Sequence, residues 1–312
     1  MRWARPALAA LLVLAACTDE HGGLTDDGVT TTAVTLPPTT LPPTTLPPEP
    51  LPLPLPVETV PDLGWELPPT GGYFDYQLSG DYPPAPEVRV VTRDWFAGTP
   101  ADGLYNICYV NAFQTQPPDA DDRPDEREGW PTEVVLPNED PAWAGEYVID
   151  LSTPELSTAA AAHVESMIAT CAEKGFDAVE FDNLDTYSRF DGLPFGQAET
   201  IEYATRLTAF AHEQGLAVGQ KNTVELTREQ TLDSIGFDFA VVEECAEFDE
   251  CAAYRAVFDL HVLSIEYSPE GMVEACAQFG VGVPVLRRDL NLVTPDDPAY
   301  EFETFCGFRG YG

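Results

Sequence analysis

Carboxylates recur at the ends of the apolar runs of this chain. One run ends Val179-Glu180-Phe181-Asp182-Asn183, with Asp185 and Tyr187 close behind. Later runs end Val241-Val242-Glu243-Glu244-Cys245, Ile265-Glu266-Tyr267 and Leu286-Arg287-Arg288-Asp289-Leu290, and an earlier one ends Thr92-Arg93-Asp94-Trp95. Gly219-Gln220-Lys221-Asn222 closes another run with a Lys-Asn pair instead. A single acid in such a place is an ordinary helix N-cap or a solvated loop charge. Several acids gathered at one mouth repel each other, which raises some pKa values and separates acid from base roles. Glycoside hydrolysis uses that separation: one carboxylic acid protonates the leaving oxygen while one carboxylate serves as nucleophile or base.

The elements that must position these acids are apolar or β-branched runs at 73–78, 88–95, 105–113, 178–182, 217–220, 239–242, 262–267 and 283–286. Helix-like segments at 157–174 and 198–214 separate several of them, and Ile201, Ala204, Thr205, Thr208 and Ala211 share one face of the second. Gly175 and Gly215 follow these helices, where a left-handed cap belongs. Strands alternating with helices imply parallel βαβ units, and eight strands over about 240 residues match an α/β (β/α)8 barrel. A doubly wound sheet is the other arrangement, but no GxGxxG follows a strand. Barrel chemistry sits at the C-terminal ends of the strands. The strands ending in Asp182 and Glu243 are two apart, roughly 9–10 Å between backbones. Inward-leaning side chains would close that gap to the range of about 5–9 Å used by paired carboxylates, a range that covers both retaining and inverting enzymes.

These motifs also carry a resemblance. The segment from Gly175 to Tyr187, GFDAVEFDNLDTY, is similar to GFDGVEPDNVDGY of glycoside hydrolase family 114, the endo-α-1,4-polygalactosaminidases, which are (β/α)8 barrels. Gly215 to Asn222 resembles that family's GLxVGLKN, and Phe237 to Cys245, with Asp249-Glu250-Cys251 after it, resembles FDFAVNEQC…YDEC. Ile265-Glu266-Tyr267, Arg288-Asp289-Leu290 and Tyr76-Gln77-Leu78-Ser79-Gly80 match further positions, so the likeness runs in order from about residue 73 to 292. By the resemblance, Asp182 and Glu243 are the catalytic acids, Asp182 as nucleophile or charge stabiliser and Glu243 as general acid/base. Asp185, Lys221, Asn222, Glu266, Arg288 and Asp289 would line sugar subsites, with Asp94 nearby and Trp95, Tyr187 and Tyr267 as stacking platforms. The chain departs from the family pattern at Phe181, Thr223, Val242 and Glu244. Val242, standing where the family has Asn beside the catalytic glutamate, keeps a second reading open: a non-catalytic polysaccharide-binding surface lipoprotein on the same barrel.

Charge narrows the partners. The chain of 312 residues has 15 Lys+Arg against 53 Asp+Glu, a formal net charge of −38. That excludes a nucleic-acid backbone and disfavours docking of a basic patch on anionic lipid, while a cationic amino-sugar polymer would be attracted. At the N-terminus, Arg2 and Arg5 precede an apolar stretch from Ala7 to Ala16 that is too short to span a bilayer. Leu14-Ala15-Ala16-Cys17 resembles a bacterial lipobox, so 1–16 reads as a lipoprotein signal peptide and Cys17 as the lipidated residue. The chain is then expected to be exported, anchored to the outer face of a bacterial membrane or released, touching membrane only through that lipid. Thr35-Leu36-Pro37-Pro38-Thr39 recurs twice nearly unchanged, and 17–70 reads as the lipidated Cys and a Thr/Pro-rich linker, about 30 residues of which in polyproline II would reach up to roughly 90 Å from the anchor at ~3.1 Å per residue. The domain proper is expected over 71–312, as a monomer. Cys108, Cys171, Cys245, Cys251, Cys276 and Cys306 form an even set that in an exported protein reads as disulfides. Cys245–Cys251 is the nearest pair and Cys276–Cys306 a plausible second. Zinc lacks a CxxC pair, Pro124 stands where a calcium loop over 119–125 needs glycine, and the four His form no metal pair, so neither metal nor cofactor is expected.

Overall fold

The structure is a computed structural model that describes residues 63–116 and 129–304. The expected signal peptide, Cys17, the Thr/Pro repeats, the acidic run at 119–125 and Cys306 lie outside the described residues. In chain order the strands and helices are β1 (Tyr73–Gln77), β2 (Val88–Asp94), β3 (Tyr105–Asn111), β4 (Val135–Glu139), β5 (Tyr147–Ile149), α1 (Pro154–Lys174), β6 (Ala178–Asp182), α2 (Thr186–Arg189), α3 (Gln197–Glu213), β7 (Ala217–Lys221), β8 (Phe239–Glu243), α4 (Cys251–Phe258), β9 (Val262–Glu266), α5 (Pro269–Phe279), β10 (Val285–Arg288) and β11 (Phe302–Thr304). A short π-helical segment, Glu229–Ile235, precedes β8.

Eight strands run parallel in the order β1-β2-β3-β6-β7-β8-β9-β10, and β11 pairs antiparallel with β10. The result is a nearly closed (β/α)8 barrel. It departs from strict alternation at its start, where loops rather than helices join β1 to β2 and β2 to β3. Between β3 and α1 the chain instead inserts the antiparallel hairpin β4–β5.

Period-2 alternation sorts the strand residues into two layers. Phe74, Tyr76, Tyr109, Ala178, Phe239, Val241 and Ile265 fill the barrel interior. Val110, Val179, Phe181, Val218, Ala240 and Val242 face the helices. Gly219 is required by this packing, because a Cβ there would come within 2.7 Å of the Phe239 ring. Helix α1 starts on the Thr153 cap with Pro at its first turn, three residues before the expected 157, and stops at Gly175 with φ 88°. The core stripe of α3 is Thr200, Tyr203, Ala204, Leu207, Thr208 and Ala211. It is therefore rotated slightly from the expected face, because Tyr203 and Leu207 contribute more apolar area than Ile201 and Thr205.

Arg288 closes the seam. β1 and β10 are not joined in the ladder order of the sheet. The fully buried Arg288 guanidinium spans the gap instead, pairing with Asp75 at 3.3 Å and donating to the Tyr76 carbonyl, to Tyr82 Oη at 3.1 Å and to the Glu301 carbonyl at 2.8 Å. The strand expected at 283–286 is shifted by two residues and runs Val285–Arg288. Arg288→Met should lower unfolding free energy by about 3–5 kcal/mol, because it leaves Asp75 buried without its cation. A guanidinium melt that superposes on the wild-type curve would contradict this role.

Residues 63–70, read from sequence as the end of the tether, pack under the barrel. Trp65 and Leu67 lie against the interior cluster, Trp65 stacks on His212 with ring centroids 3.7 Å apart, and its indole N–H donates to Asp238 at 3.1 Å. Disulfides join Cys108 of β3 to Cys171 of α1, and Cys245 to Cys251 at the start of α4. Cys276 is also disulfide-bonded.

Candidate active site

The C-terminal mouth of the barrel opens into a cavity of about 270 Å3 that continues into a second of about 360 Å3. Asp182, Asp185, Lys221, Asn222, Glu243 and Tyr267 all line the first cavity. Asp185, Asn222, Glu243 and Tyr267 also line the second, so Glu243 stands at the junction.

Lys221 organises the centre. Its ammonium lies 3.3 Å from Asp182, 3.2 Å from Glu243 and 3.2 Å from Glu180, and it donates to Tyr76 Oη at 3.2 Å. The alternation that points Lys221 inward from β7 points Glu180 and Asp182 inward from β6 and Glu243 inward from β8. Burial alone would lower the lysine pKa, but the surrounding carboxylates raise it well above the ordinary value, so the cation is permanent. Burial also pushes Asp182 up. The Lys221 charge and hydrogen bonds from Tyr109 Oη at 2.6 Å and the Asn183 N–H at 2.8 Å override that push and hold its carboxyl below the usual range. Glu243 accepts from Tyr267 Oη, in a short bond, and from Asn222 Nδ2 at 3.3 Å. Beneath the pair, burial lifts the Glu180 pKa to about 7 despite Lys221, and Tyr76 Oη donates to it at 2.5 Å.

Local backbone geometry re-aims the chain directly after each of these strands. Asn183, Asn222, Thr223 and Glu244 have φ of 63°, 44°, 66° and 52°. Asparagine accepts that conformation readily, whereas β-branched Thr223 holds it at a cost of order 1–3 kcal/mol. The turn at Asn222 is locked by its own side chain, whose Oδ1 accepts the Glu243 N–H at 2.8 Å.

Six of the sequence-derived residues fall outside both cavities. Asp94 Oδ1 caps a turn by accepting the Phe96 and Ala97 N–H groups at 2.9 and 3.1 Å, and Trp95 packs against the outer apolar layer. The Tyr187 hydroxyl accepts from Gln197 Nε2 at 3.1 Å, against α3. Glu266 is buried and accepts the Ala246 N–H at 3.3 Å, while the next residue, Tyr267, points into the mouth. Arg288 serves the seam, and Asp289 accepts the Val293 N–H at 3.0 Å. Val242, the departure beside Glu243, is fully buried in the helix-facing layer and lines neither cavity.

The structure adds Tyr76, Tyr109, Trp143, Glu146 and Arg189 to the cavity wall. The two tyrosines sit within the runs at 73–78 and 105–113, in register with the inward face, and that register was the signal that could have found them. Glu146 and Trp143 come from the β4–β5 connection, which no apolar run announced.

Three buried carboxyls set the pH dependence of stability. Burial raises Glu146 to about 8, and Glu180 and Glu266 to about 7. Against about 4.3 in the unfolded chain, the folded state binds more protons across the interval up to about pH 8. Their contribution is complete below that interval and is lost as pH rises through it, whereas that of Asp182 is lost only in stronger acid. The thermal midpoint is expected to be higher at pH 5 than at pH 8, and an opposite order in a calorimetric series would contradict these placements.

Residues 56–306 match the glycoside-hydrolase family GH114. Among solved structures, Aspergillus fumigatus Ega3 in complex with galactosamine is 20% identical with a TM-score of 0.62, covering 76% of this chain and 98% of that one. The glycoside hydrolase domain of PelA from Pseudomonas aeruginosa is 17% identical with a TM-score of 0.50, covering 71% and 96%. At these identities the likeness establishes the shared barrel. An uncharacterised protein of Deinococcus radiodurans is 32% identical over 96 residues, and the match spans 30% of this chain and 30% of that relative.

Proposed function

The chain belongs to glycoside-hydrolase family GH114, a family of glycosidases, and on that premise we propose that it hydrolyses an α-linked, galactosamine-containing polysaccharide outside the cell. The observation that carries this reading is the single lysine held between two carboxylates on alternate strand ends. The galactosamine bound to the Ega3 barrel and the acidic character of the mouth support the substrate class. Lipidation at Cys17 and export belong to the same proposal and rest on the lipobox resemblance.

A stereochemical outcome belongs to the same proposal. Both carboxylates touch one nitrogen at 3.3 and 3.2 Å, so the two contacting oxygens are separated by at most those lengths laid end to end, about 6.5 Å. A carboxyl separation of about 5–5.5 Å, as retaining enzymes use, is compatible with these contacts, and the retaining route is the one proposed. Asp182, held ionised, attacks the anomeric carbon as Glu243 protonates the departing glycosidic oxygen. The covalent glycosyl-enzyme is then released by water that Glu243 deprotonates. Lys221 keeps the nucleophile charged and spaces it from the acid. With Glu243 between two open cavities, sugar units can lie on both sides of the scissile bond, which suits cleavage within a chain. The binding-only alternative drew on Val242, and that side chain faces away from the chemistry.

The test is direct. Purified protein incubated with a partly de-N-acetylated α-1,4-galactosamine polymer should release oligosaccharides detectable by mass spectrometry. Binding without release, across a panel of α-linked amino-sugar polymers, would favour the lipoprotein that only binds.

A further inference from the structure

Glu146 enters the cavity from outside the barrel strands and is held there firmly. Its side chain is buried at 8% exposure and lines the chamber that Asp182 also lines. Its Oε2 accepts from Asn111 Nδ2 at 3.1 Å, and Asn111 in turn accepts from Asn183 Nδ2 at 3.0 Å. Its backbone is tied to the hairpin connection by bonds of 3.1 Å to the Trp143 carbonyl and 2.8 Å from the Asp140 N–H. The groups facing it are Asp182 of β6, Tyr109 of β3, Asp140 of the hairpin connection and Arg189 of α2. Arg189 is already taken, pairing with Asp185 at 2.9 Å and Asp140 at 3.2 Å and donating to Asn183 Oδ1 at 2.6 Å. Among the described residues no ion pair reaches Glu146 itself. A buried carboxyl with no ion pair of its own among the described residues therefore looks into the sugar chamber.

We propose that Glu146 is a specificity-determining residue, the carboxyl that receives the ammonium group of a galactosamine unit bound beside Asp182. The inference rests on the galactosamine reading above and adds the atom that would recognise the amine. Burial, reinforced by the Asp182 charge, raises the Glu146 pKa to about 8, so without a cation beside it this group is a carboxylic acid at neutral pH. An ammonium placed against it favours the carboxylate, and binding then expels one proton into solvent as the ion pair forms. Galactose and N-acetylgalactosamine carry no such charge and would meet the neutral acid, with no proton released.

The experiment is titration calorimetry of the full chain at roughly pH 6.5, where a sugar amine is still protonated, in two buffers of different ionisation enthalpy. Galactosamine, galactose and N-acetylgalactosamine are the probes, against wild type and Glu146→Gln. Wild type should bind galactosamine about tenfold or more tightly than galactose, releasing a large fraction of a proton. Glu146→Gln should close that gap and abolish the release. Galactosamine binding by wild type without proton release overturns the proposal, and this arm needs no variant. A variant that keeps both the preference and the release overturns it equally. If wild type cuts the amino-sugar polymer yet fails either arm, Glu146 alone is misassigned. If it neither cuts the polymer nor prefers the amine, the substrate reading falls and takes this inference with it.

Discussion

Asp182→Asn should lower kcat/KM on an amino-sugar polymer by about 10⁴-fold, roughly 5.4 kcal/mol of transition-state stabilisation, with the barrel still folded. The amide keeps the shape and can still occupy the space between Tyr109 and Lys221. It cannot form the glycosyl ester, and it removes the negative charge that the oxocarbenium-like transition state requires. Glu243→Gln should also be severe, but its loss should depend on the leaving group, because a good leaving group needs no proton. Wild-type turnover by Asp182→Asn, at unchanged thermal stability, would remove this residue from the reaction.

Lys221→Met should damage stability and catalysis together. The lysine is 2% exposed and faces Glu180, Asp182 and Glu243 at once. Removing the cation should cost up to about 3–5 kcal/mol, mostly through Glu180, which is fully buried, since Asp182 and Glu243 are partly exposed to the mouth. The carboxyls can recover part of that cost by taking up protons. Asp182 would then ionise only at higher pH, which moves the acid limb of the pH–rate profile upward and lowers kcat/KM at neutral pH by about 100-fold or more. An unmoved acid limb would show that Lys221 does not set the charge of the nucleophile. Since the chain has only two lysines, this effect is cleanly assignable: the other, Lys174, donates to the carbonyls of Trp95, Phe96 and Gly98 at the turn after β2.

What could be read from the amino-acid sequence follows from which interactions are local. Each barrel strand is buried on both faces, so it reads as a short apolar run, and all eight runs overlap strands, the last with a two-residue shift. The central residues Asp182, Lys221 and Glu243 were legible because a parallel barrel brings strand ends together whatever the loops do. The hairpin β4–β5 was not legible. Val135–Glu139 contains Pro137 and is only partly buried, and Tyr147–Ile149 is three residues long, so neither produces an alternation to detect. Glu146 was lost with it. Arg288 was read as a mouth residue because nothing local reports that a guanidinium is fully buried; its partners Asp75 and Tyr76 lie more than two hundred positions away. Glu266 and Tyr267 differ by one residue and hence by one face of the sheet, a distinction that depends on register. The Val242 departure illustrates the same point, since a polar residue lost from the outer layer changes packing and leaves the mouth alone.

The central claim, that Asp182 and Glu243 act across Lys221 as a retaining pair, is tested most directly by the anomeric configuration of the first sugar released. Proton NMR recorded during hydrolysis of an α-linked galactosamine oligosaccharide should show the α-anomer accumulating first and relaxing to the equilibrium mixture by mutarotation. Initial accumulation of the β-anomer would contradict the double displacement at Asp182, and an unchanged oligosaccharide would contradict the hydrolytic role altogether.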